Sequence, residues 1–187
     1  FPNTSFRGVR RMPVPPDPLS AARWYCRNGL SVIPVRADGS KAPALRTWEA
    51  YQERQPTDAE LVEWFTPGRP VGVAIVCGSA SRNLAVLDFE SEPAWVNWLD
   101  RLTEAGKGGL IAALPIVRTP AGGRHLYCLI SEGWVAGGVL ARRANKKVLI
   151  EVRGHGHYVV APGSPMACHP LNVPYRFESE GWLANVR

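Results

Sequence analysis

Apolar positions follow two rhythms along this chain. From Asp17-Pro18 they recur at helical spacing to about Asn28. Asp17 stands as N-cap, Pro18 opens the first turn and Gly29 marks the stop. Thr57 and Glu60 form a capping-box pattern before "LVEWF", which predicts a short helix over about 58–65. A third helix is predicted from Glu92 to Ala105, where Ala94, Trp95, Trp98, Leu99 and Leu102 keep one face, ending at Gly106. Strand-like runs fill the remainder: "LSVIPV" (30–35), "VGVAIVCG" (71–78) and "NLAVLDFE" (83–90), then "PIVRT" (115–119) and "RHLYCLI" (124–130). "KKVLIEVRG" (146–154), "HYVVAP" (157–162) and "VPYRFE" (173–178) follow. The runs at 71–78 and 83–90, joined by a "SASR" turn, predict one hairpin, and those around "PAGG" a second. Many strands with few helices imply an α+β domain rather than a doubly wound sheet.

Composition narrows the classes. The chain has 187 residues, enough for one well-filled core or two small lobes. It is 45% hydrophobic and 20% charged, the balance of a globular domain. No apolar run approaches a membrane span, so no membrane partner is expected. The start, "FPNTSFRGVRRMPVPPDP", has basic residues but no apolar core of a signal peptide, and residues 1–17 read as a flexible Pro- and Arg-rich arm. Net charge is +6 and the pI about 9.5, which favours a polyanionic partner such as nucleic acid. The basic residues are scattered apart from Arg10-Arg11, Arg142-Arg143 and Lys146-Lys147, and such pairs are ordinarily solvated surface. Cys26, Cys77, Cys128 and Cys168 form no CxxC pair, so free thiols in a reducing cytosol are expected.

Polar chemistry interrupts the apolar strands at three places. In "LAVLDFESE" the run ends in Asp88 and Glu90, which share a strand face. They stand roughly 7 Å apart along it. Two such anions repel, and half-burial adds to the cost, so a cation is expected between them. Arg124 and His125 follow the glycines of "TPAGG". Glu151 sits inside "VLIEVRG", with Arg153 on the same face. Three acids from two strands make an oxygen cage suited to Mg²⁺ or Mn²⁺. Two such ions can clamp the attacking and leaving oxygens of a phosphoryl displacement. Arg and His offer fixed donors to phosphate oxygens. Adjacent on a strand, Arg124 and His125 should face opposite ways, and His125 is favoured as the one at the site. A DxE pair alone also fits a solvent-facing strand edge, and "GGRH" alone fits a tight hairpin turn followed by a structural histidine.

In order, "LAVLDFE", "TPAGGRHLYC" and "LIEVRGHGHYVVAPGS" resemble the bifunctional primase–polymerase domain of the archaeo-eukaryotic primase superfamily. Asp88 and Glu90 match its DxD/DxE motif, Gly123-Arg124-His125 its small-x-His motif, and Ile150-Glu151 its hydrophobe-acid motif. "GLSVIPV", "SKAPALRTW" and "VGVAIVCG" are similar to its N-terminal segments, and the likeness covers roughly residues 18–165. The resemblance implies an RNA-recognition-motif-like (RRM-like) catalytic palm over 81–187 preceded by an α/β lobe over 18–80. It implies nucleotidyl transfer with two divalent ions, Mg²⁺ or Mn²⁺. Asp88, Glu90 and Glu151 would be the metal ligands and His125 would lie on the incoming triphosphate. Arg153, and less directly Arg124, would assist in nucleotide binding. Lys41 matches a recurrent lysine without an assigned role. The implied partners are a DNA template and primer and an NTP or dNTP. A helicase or accessory domain would lie beyond Arg187. The implied setting is the prokaryotic cytoplasm, in replication of a plasmid, phage or mobile element.

Glu151 departs from the more usual Asp, and His157 and Gly163 stand where Gly and Pro are frequent. His155 and His157 are read as sharing a strand face, either binding a metal or lining the nucleotide site. "HGHY" also raises the rolling-circle nucleases (the HUH class), whose two histidines hold a metal and whose tyrosine nucleophile lies on a later helix. Here Gly156 separates the histidines, and Tyr175 sits in the strand-like "VPYRF". Two-histidine phosphodiesterases need Ser or Thr two residues after each His, where Tyr127 and Val159 stand. The remaining class is a non-catalytic, RRM-like nucleic-acid-binding module that stacks bases on Tyr127 or Tyr158. Three acids on such a surface would repel phosphate, so the acids separate enzyme from plain binder.

Overall fold

The computed structural model describes residues 14–179 and the backbone of 185–186. The arm expected at 1–17 lies mostly outside these residues. Helix α1 (Pro18–Arg27) opens on Asp17, whose side chain accepts from the Ser20 amide, and α2 (Asp58–Trp64) opens on the Thr57–Glu60 capping box. Both caps stand where the sequence placed them, and each answers an orphan amide of the first turn. Helix α3 (Glu92–Glu104) completes the described helices. The strands are β1 (Val32–Arg36), β2 (Val71–Val76), β3 (Leu84–Phe89), β4 (Ile116–Arg118) and β5 (Arg124–Ile130). Then come β6 (Gly138–Arg142), β7 (Val148–Arg153), β8 (Tyr158–Val160), β9 (Arg176–Phe177) and β10 (Asn185–Val186). The fold is α+β, as expected.

The strands form two sheets. The smaller runs β1-β2-β8, all antiparallel. The larger runs β6-β7-β3-β5-β4-β9, antiparallel throughout, with β10 parallel to the far end of β5. The hairpin expected between 71–78 and 83–90 is therefore not formed. β2 and β3 belong to different sheets, linked in the backbone by a Gly78–Leu84 bridge. The reason lies in the turn: Gly78 takes φ +95°, and Arg82 and Asn83 are both left-handed, so the chain crosses over instead of folding back. A side chain at Gly78 would be strained by that φ and would press on His155. Each strand then finds two neighbours elsewhere. β2 is buried at all six positions, which explains its continuous apolar run.

The larger sheet has two different faces. Leu87, Phe89 and Leu126 face α3 and pack on Trp95 and Trp98 in one apolar cluster. Phe89 meets Trp95 edge-on with ring centroids 5.0 Å apart. The opposite face carries Leu84, Val86, Tyr127 and Leu129 into the main core with β1, β2, α1 and α2. Because β8 comes from residues 158–160 yet completes the smaller sheet, the chain returns to its N-terminal half after building the large one. The 18–80 and 81–187 segments are thus interleaved through one shared core. No described helix is long and apolar enough to cross a membrane. All four cysteines are free.

Candidate active site

The polar residues gather where that core face runs out. In the strand register Asp88 stands opposite His125 on β5 and opposite Glu151 on β7. Directly paired residues of antiparallel strands point to the same face, with Cβ atoms about 5 Å apart. His125, Asp88 and Glu151 therefore form one row across three strands. Arg153 and Tyr127 lie in the next row toward the core, where both pair with Val86. Glu90 lies beyond Asp88 on the open side, exposed.

Between the acids stands a guanidinium. Arg153 Nη2 is 3.1 Å from Glu151 Oε2 and 3.4 Å from Asp88 Oδ2. This cation bridges Asp88 and Glu151 across two strands; it does not stand between Asp88 and Glu90, where the DxE strand end called for one. His125 is 6% exposed. Its Nε2 lies 3.6 Å from Asp88 Oδ1, beyond a hydrogen bond but within strong electrostatic range, and its Nδ1 is buried without a partner. Burial holds its pKa below the ordinary histidine value, against the pull of Asp88, so the ring is neutral at pH 7. The Glu90 carboxyl is pushed above its ordinary range, first by desolvation and then by the Asp88 charge.

Asp88, His125 and Arg153 border a cavity of about 240 Å³. At roughly 30 Å³ per water it has room for about eight, far more than one bridging water needs. Asp88, His125 and Arg153 of the large sheet line it together with Gly156, His157, Tyr158, Lys41 and Tyr175. Tyr158 donates to the Lys41 carbonyl at 3.1 Å, which ties the 37–48 loop to β8. Tyr175 lies on His125, ring centroids 5.8 Å apart. Lys41, unassigned from sequence, thus reaches the site, and Tyr175 was missed entirely. Both sit on loops whose position depends on distant packing.

The structure does not bring Arg124 to this group. Alternation sends it through the sheet to the α3 face, where it is 4% exposed. Its guanidinium pairs with Glu92 Oε2 at 2.8 Å and with Glu178, and donates to the Gly122 and Gly123 carbonyls. The expected nucleotide contact from Arg124 is replaced by a structural ion-pair cluster. The glycines serve the sheet as well: a Cβ at Gly123 would overlap the Phe89 carbonyl oxygen, so this position lets β3 and β5 close over the site. His155 and His157 do not share a strand face, because Gly156 turns between them with φ +80°. His157 lines the cavity, while His155 stacks on Trp134. Tyr127 is 2% exposed and cannot stack a base.

The donor chemistry suits a hard divalent cation. Asp88, Glu90 and Glu151 present carboxylate oxygens on one face, and Arg153 already holds a positive group between two of them. Among the described residues no three acid, His or Cys side chains converge tightly enough to hold an ion as they stand. The guanidinium fills that gap.

Residues 22–186 match the family model for the bifunctional DNA primase/polymerase N-terminal domain, Prim-Pol. The chain belongs to the Prim-Pol family. The match spans both sheets and every residue of the row just described. As a Prim-Pol domain it is a nucleotidyltransferase-type enzyme in the general sense of that family. A comparison with curated proteins finds no match.

Proposed function

We propose that this Prim-Pol domain joins a nucleotide to the 3′-hydroxyl of a templated strand and releases pyrophosphate. We place it in replication of a plasmid, phage or mobile element. The observation that carries the reading is the row His125–Asp88–Glu151, set across three strands, with His125 and Asp88 lining a cavity. Asp88, Glu90 and Glu151 would hold Mg²⁺ or Mn²⁺. Bound there, such ions lower the hydroxyl's pKa and neutralise charge on the reacting phosphate.

The chain's own residues do the rest. A triphosphate entering the cavity meets Arg153 and Lys41, the two Lys or Arg side chains that line it. Arg153 has a fork to offer phosphate oxygens once it is released from the carboxylates. Neutral His125 keeps one N–H for hydrogen bonding and adds no charge to the site. Tyr175 fixes the imidazole plane from the side. The alternative binding-module reading gains no stacking platform from the two tyrosines named for it, since Tyr127 is buried and Tyr158 is engaged with Trp48 and Lys41.

Nucleotide incorporation on a primed and a bare template, with Mg²⁺ or Mn²⁺, tests the proposal. Extension of the primer that ceases with chelator and with Asp88→Ala is the expected result; product on the bare template adds priming. No incorporation on either template, with strand binding intact or stronger in Asp88→Ala, would return the chain to the plain binders.

A further inference from the structure

The four basic residues that the sequence left as solvated surface sit on one hairpin. Arg142 ends β6, Arg143 follows it, Lys146 and Lys147 lead back into β7, and all four are exposed. No acid lies between Gly138 and Ile150. Among the described residues none of the four pairs with a carboxylate. Arg142 donates to the Lys146 carbonyl at 2.9 Å, and Lys146 takes φ +65°, so these two shape the turn while Arg143 and Lys147 project from it.

β6 is the edge strand of the catalytic sheet. Its Val139 pairs with Glu151 and continues the row that carries Asp88. Val139 and Leu140 are exposed, an unusual pairing of apolar surface with a basic tip. Just upstream, Trp134 is 52% exposed. It is held in place by a stack on His155, ring centroids 4.5 Å apart and planes 28° apart. The His155 amide donates to Val135 at 2.8 Å, which fixes this turn to the Gly156–His157 segment that lines the cavity. A solvent-facing indole before β6, the apolar edge of β6 and the basic turn after it thus follow one another along the chain, with Val139 in the row that carries Asp88.

We propose that this edge, from Trp134 through the β6–β7 tip, is the track on which a single nucleic-acid strand lies, its phosphates on Arg143 and Lys147 and a base on Trp134. The inference rests on the nucleotidyl-transfer reading for its purpose, while its evidence is separate from the carboxylate row. The combination fits single-stranded nucleic acid: cations take the backbone, and an aromatic face takes any base. An acidic polypeptide would use the cations and leave the indole idle.

The test is equilibrium binding of a fluorescent oligothymidylate to the 187-residue chain. Metal and nucleotide are left out, and salt is varied from about 50 to 200 mM. The Arg143→Gln/Lys147→Gln variant should bind more weakly, with the slope of log K on log salt shallower by about 1.4, at ~0.7 per lost single-strand contact. Trp134→Ala should weaken binding about tenfold with the slope unchanged, and Trp134→Phe should recover most of it. Unchanged melting temperatures exclude unfolding, which exposed positions make the expected result. Wild-type binding by both variants overturns the track, as does equal affinity for poly-glutamate with no effect of Trp134→Ala. Primer extension is scored separately. A chain that binds through the hairpin yet never incorporates keeps the track and loses the polymerase reading. A chain whose hairpin variants bind and extend like wild type keeps the polymerase and loses the track.

Discussion

Among the described residues Glu90 has no Lys or Arg paired with it, although Asp88 and Glu151 share the Arg153 guanidinium. Desolvation and the Asp88 charge raise its pKa above the ordinary value. A carboxyl whose folded pKa is raised stabilises the fold fully below its unfolded pKa and loses that contribution as pH climbs through the folded one. Glu90→Gln should therefore raise the melting temperature at pH 7, and the gain should vanish near pH 4; a lower melting temperature at pH 7 would show that Glu90 is already compensated. The need for a cation beside Asp88 was legible in the DxE pair, although the guanidinium that answers it pairs Asp88 with Glu151 and not with Glu90. Its identity was legible only in part. Arg153 shares a face with Glu151 by alternation, but no sequence spacing brings it to Asp88. Lys41 and Tyr175 carry no local signal at all, since both reach the cavity from loops held by tertiary contacts.

Strand alternation decides the fate of Arg124 at the level of the element. β5 sends His125 to the site and Arg124 to the buried Glu92–Glu178 cluster. Arg124→Met should lower stability by about 1–3 kcal/mol in urea denaturation. That lies below the usual cost of breaking a buried pair, because Glu92 and Glu178 remain half in water. Its nucleotide KM should stay at the wild-type value, where a direct nucleotide ligand would raise it. The helices were read to within a residue or two because their caps are local chemistry. The β2–β3 pairing was misread because two apolar runs joined by a short polar turn look like a hairpin whether or not they share a sheet. β6 was missed for the opposite reason: "GGVLAR" lacks alternation, being an exposed edge strand with irregular register against β7.

At the scale of the molecule, the described residues form two interleaved halves around a shared core. The smaller sheet takes its third strand from residues 158–160, and α1, α2, β1 and β2 share a core with Val86, Tyr127 and Leu129 of the larger one. A fragment of residues 18–80 keeps only two of the three strands and loses the surface they cover, too little for independent stability. It should show an undispersed proton–nitrogen NMR spectrum, whereas the 187-residue chain should unfold in a single transition by every probe; a dispersed fragment spectrum would mean that the lobe folds alone. This interleaving puts the cavity between Lys41 of one half and Asp88, His125 and Arg153 of the other. The most direct measurement of the whole account is single-turnover primer extension by wild type, Asp88→Asn, Glu151→Gln and Arg124→Met. Removing a charge from the three-strand row should slow incorporation by about 10²–10³-fold or more, while folded Arg124→Met keeps the wild-type rate. Asp88→Asn and Glu151→Gln extending primers as fast as wild type would contradict it.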